Sequence, residues 1–227
     1  MERLISNGLE IVTPKLNSLT NEDIMLLNKS LLTLDSWSTP QIMKNLDIEA
    51  DKMSGVFRSE FFSSEKGLYF IFEESEVTLE ERELLGSFVT LPNIELQYAD
   101  ELVSYVEYCT SKHIQGINGY MTMQTALKLL ENDNKSSCYI NYILTNPKYH
   151  RKKDDIAKTD RLKIGQLTIE TLCKHPNFLS ENSHPLKSYM AMIGIDNEAS
   201  IGLFRKFGFE TCPSSTNQEY DMFYKSL

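Results

Sequence analysis

The sequence predicts an α/β fold, a mixed sheet flanked by helices. Three observations predict it. Runs rich in β-branched and aromatic residues alternate with runs whose apolar residues recur at helical spacing. Strands come first, and the C-terminal half then reads strand–helix–strand–helix–strand, an order that builds a mixed sheet covered by helices. Hydrophobic residues make up 41% of the 227 residues, enough for a buried core, yet no apolar run approaches the ~20 residues of a membrane span.

The elements follow in chain order. "LEIVTPKL" (9–16) reads as a strand, and a helix over 20–34 follows with Thr20 as its N-cap. A second helix spans 39–53, with Pro40 in its first turn. "GLYFIFEE" (67–74) and "ELLGSFVTL" (83–91) are strands, joined by an acidic stretch that reads as a solvated hairpin loop. Segments 99–113 and 121–133 are helical. "SCYINYILTNP" (137–147) is a strand stopped by Asn146-Pro147. An amphipathic helix spans 160–175, and strands fall at 187–195 and 219–227. Between the last two, "IGIDNEASIGLFRKFGFE" (193–210) carries a short helix that opens on Asn197 and closes at Gly208, which calls for positive φ. Phe207 and Phe209 are expected to pack beneath the sheet.

Charge and composition narrow the function classes. A net charge of -9 makes a poor general binder of nucleic acid. The N-terminal "MERLISNGLEIV" lacks the apolar run of a signal peptide. Cys109, Cys138, Cys173 and Cys212 lie far apart, as reduced intracellular thiols do, and the expected location is cytoplasmic or nuclear. His113, His150, His175 and His184 form no metal spacing, so no metal is expected.

The strongest local chemistry lies in "PKYHRKKDDIAKTDRLK" (147–163). It holds seven Lys or Arg against three Asp, a local charge of +4 in a chain whose remainder sums to -13. Cations beside the free N–H groups of a helix start make a phosphate site, and Gly165 would let a phosphate approach the backbone. A solvated basic loop is the competing reading.

Taken together, "INYILTNPKYHRKK…RLKIGQLTIETL" and "MIGIDNEASIGLFRKFGFE" resemble the GNAT acetyltransferase superfamily. In that family a strand ending in x-x-Pro leads to a Gly-rich turn, and the helix it opens binds the pyrophosphate of acetyl-CoA. A later strand leads to Asn-x-x-Ala/Ser-x-x-Leu-Tyr-x-Lys-x-Gly-Phe, matched here by Asn197, Ser200, Phe204, Lys206, Gly208 and Phe209. Ile193 to Lys206 is most similar to the N-acetyltransferase 9-like proteins within the superfamily. The resemblance implies a mostly antiparallel central sheet and a single domain over 1–227, with 93–136 as a helical insertion. It also implies acetyl-CoA as cofactor. The thioester carbonyl would bond a backbone N–H near Ile143 or Leu144. Arg161, Lys163, Ile164, Gly165 and Gln166 would hold the phosphates, and Asn197 and Ser200 would approach the pantetheine arm beside Phe204.

Departures from the pattern bear on catalysis. Two placements of the pyrophosphate turn compete, one on Arg151-Lys152-Lys153 and one on Arg161 to Gly165 with Lys163 at a usual glycine position. The family's acidic Tyr is Phe204 here, and the strand's acidic residue falls near Asn141. No catalytic residue is assigned; Asn141 and Tyr142 are candidates, and Tyr139 and Tyr142 lie on opposite faces of the strand. The resemblance implies an N-acetyltransferase, an acyltransferase whose acceptor is an amine of a protein or peptide, with no direct nucleic acid or membrane partner. Two alternatives stay open: a non-catalytic GNAT-fold binding or interaction subunit, and an unrelated α/β interaction protein.

Overall fold

The computed structural model describes residues 1–13, 20–38, 67–92, 99–115, 120–131, 137–149, 163–179, 185–212 and 219–227. The helix expected over 39–53 lies outside them, as do Arg151-Lys152-Lys153 and Arg161. The described strands are β1 (Glu2–Ser6), β2 (Leu9–Thr13), β3 (Gly67–Glu73), β4 (Leu84–Pro92), β5 (Ser137–Thr145), β6 (Ser188–Gly194), β7 (Glu210–Cys212) and β8 (Tyr220–Ser226). The described helices are α1 (Asn21–Ser38), α2 (Ala99–Ser111), α3 (Met123–Glu131), α4 (Ile164–Lys174) and α5 (Glu198–Lys206). The strands form a mixed, mostly antiparallel sheet in the order β1-β2-β3-β4-β5-β6-β8-β7, with β5 and β6 parallel. The chain divides into two compact units, 1–89 with 142–171 and 90–141 with 172–227.

The first unit begins with β1, which the sequence reading did not include; the strand expected from residue 9 is β2. β1 and β2 pair antiparallel around Asn7-Gly8, both with positive φ (56° and 75°). Two such residues make the type I′ turn whose twist suits a two-residue hairpin. Thr20 caps α1 as expected. Its Oγ1 accepts from Asp23 N at 3.1 Å, and Asp23 Oδ2 accepts from Thr20 N at 3.0 Å, a reciprocal pair that satisfies two otherwise orphaned donors. Leu26, Leu27, Leu31 and Leu34 recur on one face of α1 and bury against Val12, Leu68, Phe70, Phe72 and Leu84.

The loop between β3 and β4 is the largely exposed, acidic connection that its sequence suggested, and it is anchored at two points. Leu79 is buried in the core. The Arg82 guanidinium donates to the carbonyls of Val77 (2.6 Å), Glu73 (3.2 Å) and Ser75 and pairs with Glu10 Oε2 at 2.5 Å. Glu10 has a side chain only 4% exposed, so its charge requires that partner. One cation thus ties an otherwise anionic loop to the sheet.

In the second unit β6 pairs antiparallel with β8 over seven residue pairs, and β7 pairs with β8. The parallel ladder joins Ser137, Cys138 and Tyr139 of β5 to Ser188, Tyr189 and Met190 of β6, reinforced by a 2.7 Å bond between the hydroxyls of Ser137 and Ser188. The stretch 93–136 supplies α2 and α3. Leu102, Tyr105 and Cys109 of α2 and Ala126 and Leu129 of α3 bury against Met190, Met222 and Tyr224. Glu210 of β7 fixes the start of α3 by accepting from Thr122 N (2.8 Å) and Thr125 Oγ1 (3.1 Å).

Gly86 of β4 lies close against the backbone of β5. A Cβ built there would stand 2.6 Å from the Leu144 carbonyl oxygen and 3.5 Å from Ile164 Cγ2, the first residue of α4. A backbone oxygen cannot swing aside as a flexible side chain can, so any larger residue must push β5 away. Gly86→Ala is expected to cost about 1–3 kcal/mol, read as a lower midpoint in urea denaturation. A midpoint at or above that of the parent would show that the two strands can separate freely.

Candidate functional site

The predicted site residues fall in both compact units. In the first, Tyr142, Ile143 and Leu144 form the second half of β5, and Lys163, Ile164, Gly165 and Gln166 form the start of α4. Ile143 and Leu144 are half-buried, and Leu144 also packs against the core beneath α1. Ile164 is buried, and both its Cγ2 and the Leu144 carbonyl oxygen lie against Gly86. The end of β5 and the start of α4 therefore share one contact point.

The first intrahelical bond of α4 runs from Leu167 N to the Lys163 carbonyl, at 2.9 Å. Helical geometry leaves the N–H groups of Ile164 and Gly165, ahead of that bond, without an intrahelical acceptor. The Lys163 side chain is exposed, and the first turn of α4 carries no carboxylate. Partial positive charge from the helix end and a full charge from Lys163 thus coincide, with no acidic side chain on that turn to cancel them. Behind this turn the helix is anchored. Buried Thr168 donates from Oγ1 to the Ile164 carbonyl (2.8 Å), and Asn7 Nδ2 donates to Thr171 Oγ1 (3.1 Å).

The chain leaves β5 through a polar knot. Asn146, 7% exposed, donates from N to the Leu85 carbonyl (2.8 Å) and from Nδ2 to the Leu84 carbonyl (3.1 Å). Its Oδ1 accepts from Lys148 N at 3.0 Å, an Asx turn that starts the 3-10 turn Pro147–Tyr149. Glu83 then gathers three neighbours. Lys148 Nζ lies 3.0 and 3.1 Å from its two oxygens, Tyr149 donates its hydroxyl at 2.8 Å, and Asn146 Nδ2 lies at 3.4 Å. The Lys148 ammonium, followed by the other donors, holds the Glu83 carboxyl below its usual range, while burial followed by Glu83 pushes the Tyr149 hydroxyl up. One cation of the basic segment is thus already committed. Sequence reasoning missed Glu83, Asn146 and Gly86. Glycine inside a strand and Asn before Pro were the signals available for the last two.

In the second unit, Asn141 lies half-buried on β5. Tyr139 is partly buried and packs against the core that holds residues of α2 and α3. Asn197 caps α5 as expected, its Oδ1 accepting from Ser200 N at 3.1 Å. The bond fixes the amide plane, with Nδ2 as the remaining donor on an exposed side chain. Gly202 lies on the exposed face of α5, and a Cβ there would meet nothing within 4 Å.

Gly208 closes α5 with φ at +77°. Its N–H reaches the Arg205 carbonyl (3.0 Å) and Phe209 N reaches the Phe204 carbonyl (3.1 Å), the paired bonds of a Schellman motif. The motif's hydrophobic contact is Phe204 against Phe209, edge to face with centroids 4.7 Å apart, and Phe223 lies 6.2 Å from Phe204. Phe204 and Phe209 are both buried, whereas Phe207 is partly exposed and does not take the core place expected for it. It is Cα geometry that decides this, since C″ and C3 of the motif face inward together.

The Phe204 ring is therefore wrapped in aromatic carbon. Phe204→Tyr would place a hydroxyl among those rings without a partner and is expected to cost about 1–3 kcal/mol, measured by chemical denaturation. An unchanged stability would mean that the ring edge reaches solvent or a cleft.

No family model and no curated protein matches the chain. Solved structures do. An uncharacterised protein from Bacillus halodurans is 10% identical, with a TM-score of 0.55, covering 99% of this chain and 89% of its own. Spermidine N-acetyltransferase from Vibrio cholerae, solved with CoA and spermine, is 10% identical with a TM-score of 0.51, covering 97% and 96%. A GNAT-family acetyltransferase from Bacillus anthracis is 11% identical with a TM-score of 0.51, covering 100% and 98%. At these identities the likeness is one of fold, and the fold of this chain is that of the GNAT acetyltransferases.

Proposed function

We propose that the chain is an acetyl-CoA-dependent N-acetyltransferase whose acceptor is an amine of a protein or peptide. The observation that carries the reading is the opening turn of α4, where an exposed Lys163 adjoins the first N–H groups, the turn itself bears no carboxylate, and the end of β5 lies against the same glycine. Such a turn suits a phosphate-bearing ligand. The fold likeness to an acetyltransferase solved with CoA supports the same reading.

On this reading the first N–H groups of α4, from Ile164, Gly165 and Gln166, hold the pyrophosphate together with Lys163 and Arg161. A backbone N–H of Ile143 or Leu144 bonds the thioester carbonyl and stabilises the oxyanion that develops there. Asn197 Nδ2 reaches the pantetheine amides from a plane fixed by its cap bond, beside Ser200. The acceptor nitrogen would bond the acetyl carbon and pass its proton to water as the carbon–sulfur bond breaks, the sulfur keeping the electron pair. Phe204 supplies no proton. A thiol of pKa near 8.5 can leave as thiolate, at a cost of about 2 kcal/mol at pH 7. Asn141 and Tyr142 are the polar side chains proposed nearest the reacting carbonyl. The net charge of -9 favours a cationic acceptor. The N-acetyltransferase 9-like motif over Ile193 to Lys206 supports a protein amine inside the cell. We take the whole chain as one such domain, with 93–136 as its insertion.

A second reading, a GNAT-fold module that binds without catalysis, is favoured by one observation, the burial of Phe204 where relatives carry a tyrosine.

Acetyl-CoA at ~100 times its dissociation constant should add about 2.7 kcal/mol, a rise in Tm of roughly 5–10 °C for a chain of this size. Lys163→Glu should abolish most of that rise, because it turns the helix start against the phosphates. No rise at millimolar acetyl-CoA would remove the reading. Turnover, followed by mass spectrometry on N-terminal peptides, lysine peptides and spermidine, separates enzyme from module and names the acceptor.

Asn197→Asp keeps the cap acceptor and loses the amide donor. Its stability should stay within about 0.5 kcal/mol of the parent, while acetyl-CoA affinity falls. Equal affinity in this variant would limit Asn197 to capping.

A further inference from the structure

We propose that Glu83, through its salt bridge to Lys148, sets the electrostatic potential at the opening turn of α4 and so tunes affinity for the polyphosphate end of CoA; the inference rests on the acetyl-CoA reading above. Three donors converge on the Glu83 carboxylate, and two of them, Lys148 and Tyr149, belong to the 3-10 turn that follows β5. Stability does not account for that arrangement. The Glu83 and Lys148 side chains are 45% and 65% exposed, and pairs so exposed contribute little to folding.

Position accounts for it better. Glu83 lies three residues ahead of Gly86 on the same chain, a span of about 10 Å in strand geometry. At Gly86 the first residue of α4 is in contact. Glu83 therefore lies on the order of one Debye length from the point against which α4 begins. A bare carboxylate there would repel a polyanion. The nearby cation of Arg82 cannot offset it, because it is committed to Glu10 and to loop carbonyls. Lys148 neutralises Glu83, and Glu83 in turn withholds the Lys148 ammonium from the phosphates. The pair keeps this edge of the site near zero charge, so that CoA is held firmly enough to react and loosely enough to leave.

The test is calorimetric binding of CoA at low and high salt, with Tm recorded for each variant. Lys148→Met exposes the carboxylate and is expected to weaken CoA about two- to threefold at low salt; Glu83→Gln frees the ammonium and should tighten it about twofold. The double variant should return close to the parent, and all differences should shrink in 0.5 M salt. A merely structural pair cannot give opposite signs, because loss of either partner would weaken binding and lower Tm together. Affinities unchanged in both single variants, or weakened in both in step with Tm, would overturn the inference while leaving the acetyl-CoA reading standing. A parent protein that binds no CoA overturns both, and is recognised before any variant is made.

Discussion

The contact at Gly86 is the constraint on which the first unit depends. Three elements meet there: β4 contributes the glycine, β5 the Leu144 carbonyl, and α4 the Ile164 side chain. Because the closest atom is backbone oxygen, the approach is set by main-chain geometry rather than by an adjustable rotamer. The exit from β5 is then fixed by Asn146, whose side chain bonds the chain just ahead of Gly86. The start of α4 is fixed by its packing at the same point. What lies at each end of the basic segment is therefore held by the sheet, whatever the segment's own sequence prefers.

Charge is handled in the same economical way in both units. Buried Glu10 is met by Arg82 and Arg3, and the same Arg82 guanidinium bonds the carbonyls of the loop around it. Glu210 serves as an external cap for α3. Thus several acidic side chains in an acidic protein satisfy backbone or cationic donors, which lowers the self-repulsion that a net charge of -9 would otherwise impose.

Much of the fold was legible because its signals are local. Thr20 and Asp23, Asn197 and Ser200, and Gly208 with Phe209 specify helix ends within a few residues. β3, β4, β5, β6 and β8 announced themselves by β-branched and aromatic runs. β1 was missed because Glu2 to Ser6 is largely exposed and short, and its only strong mark is the Asn-Gly turn that follows it. The loop after β3 was legible as exposed, but the Arg82 bonds across it and the burial of Leu79 were not, because both reach residues outside the local sequence. For the site, the α4 opening and the Asn197 cap could be read directly, since helix starts are written in sequence. Glu83 could not, because its partners lie about sixty-five residues away in the chain. The place of Phe204 was obscured for a different reason: an amphipathic period tells which face is buried, but not that a Schellman turn would fold Phe209 back onto that ring.

The bond from Asn7 to Thr171 spans 164 residues of chain. The Asn7-Gly8 hairpin closes in microseconds once its two strands exist, but the helix that seats against its turn is among the later parts to be made. At ribosomal rates of roughly 5–20 residues per second the gap is about 8 to 30 s. β4 ends at Pro92 and β5 at Thr145, so for roughly 3 to 11 s of that interval β1 to β4 stand without the β5 segment that covers their edge. The nascent chain therefore carries an open sheet edge for a time that is long against folding, a period in which a chaperone would have most to bind.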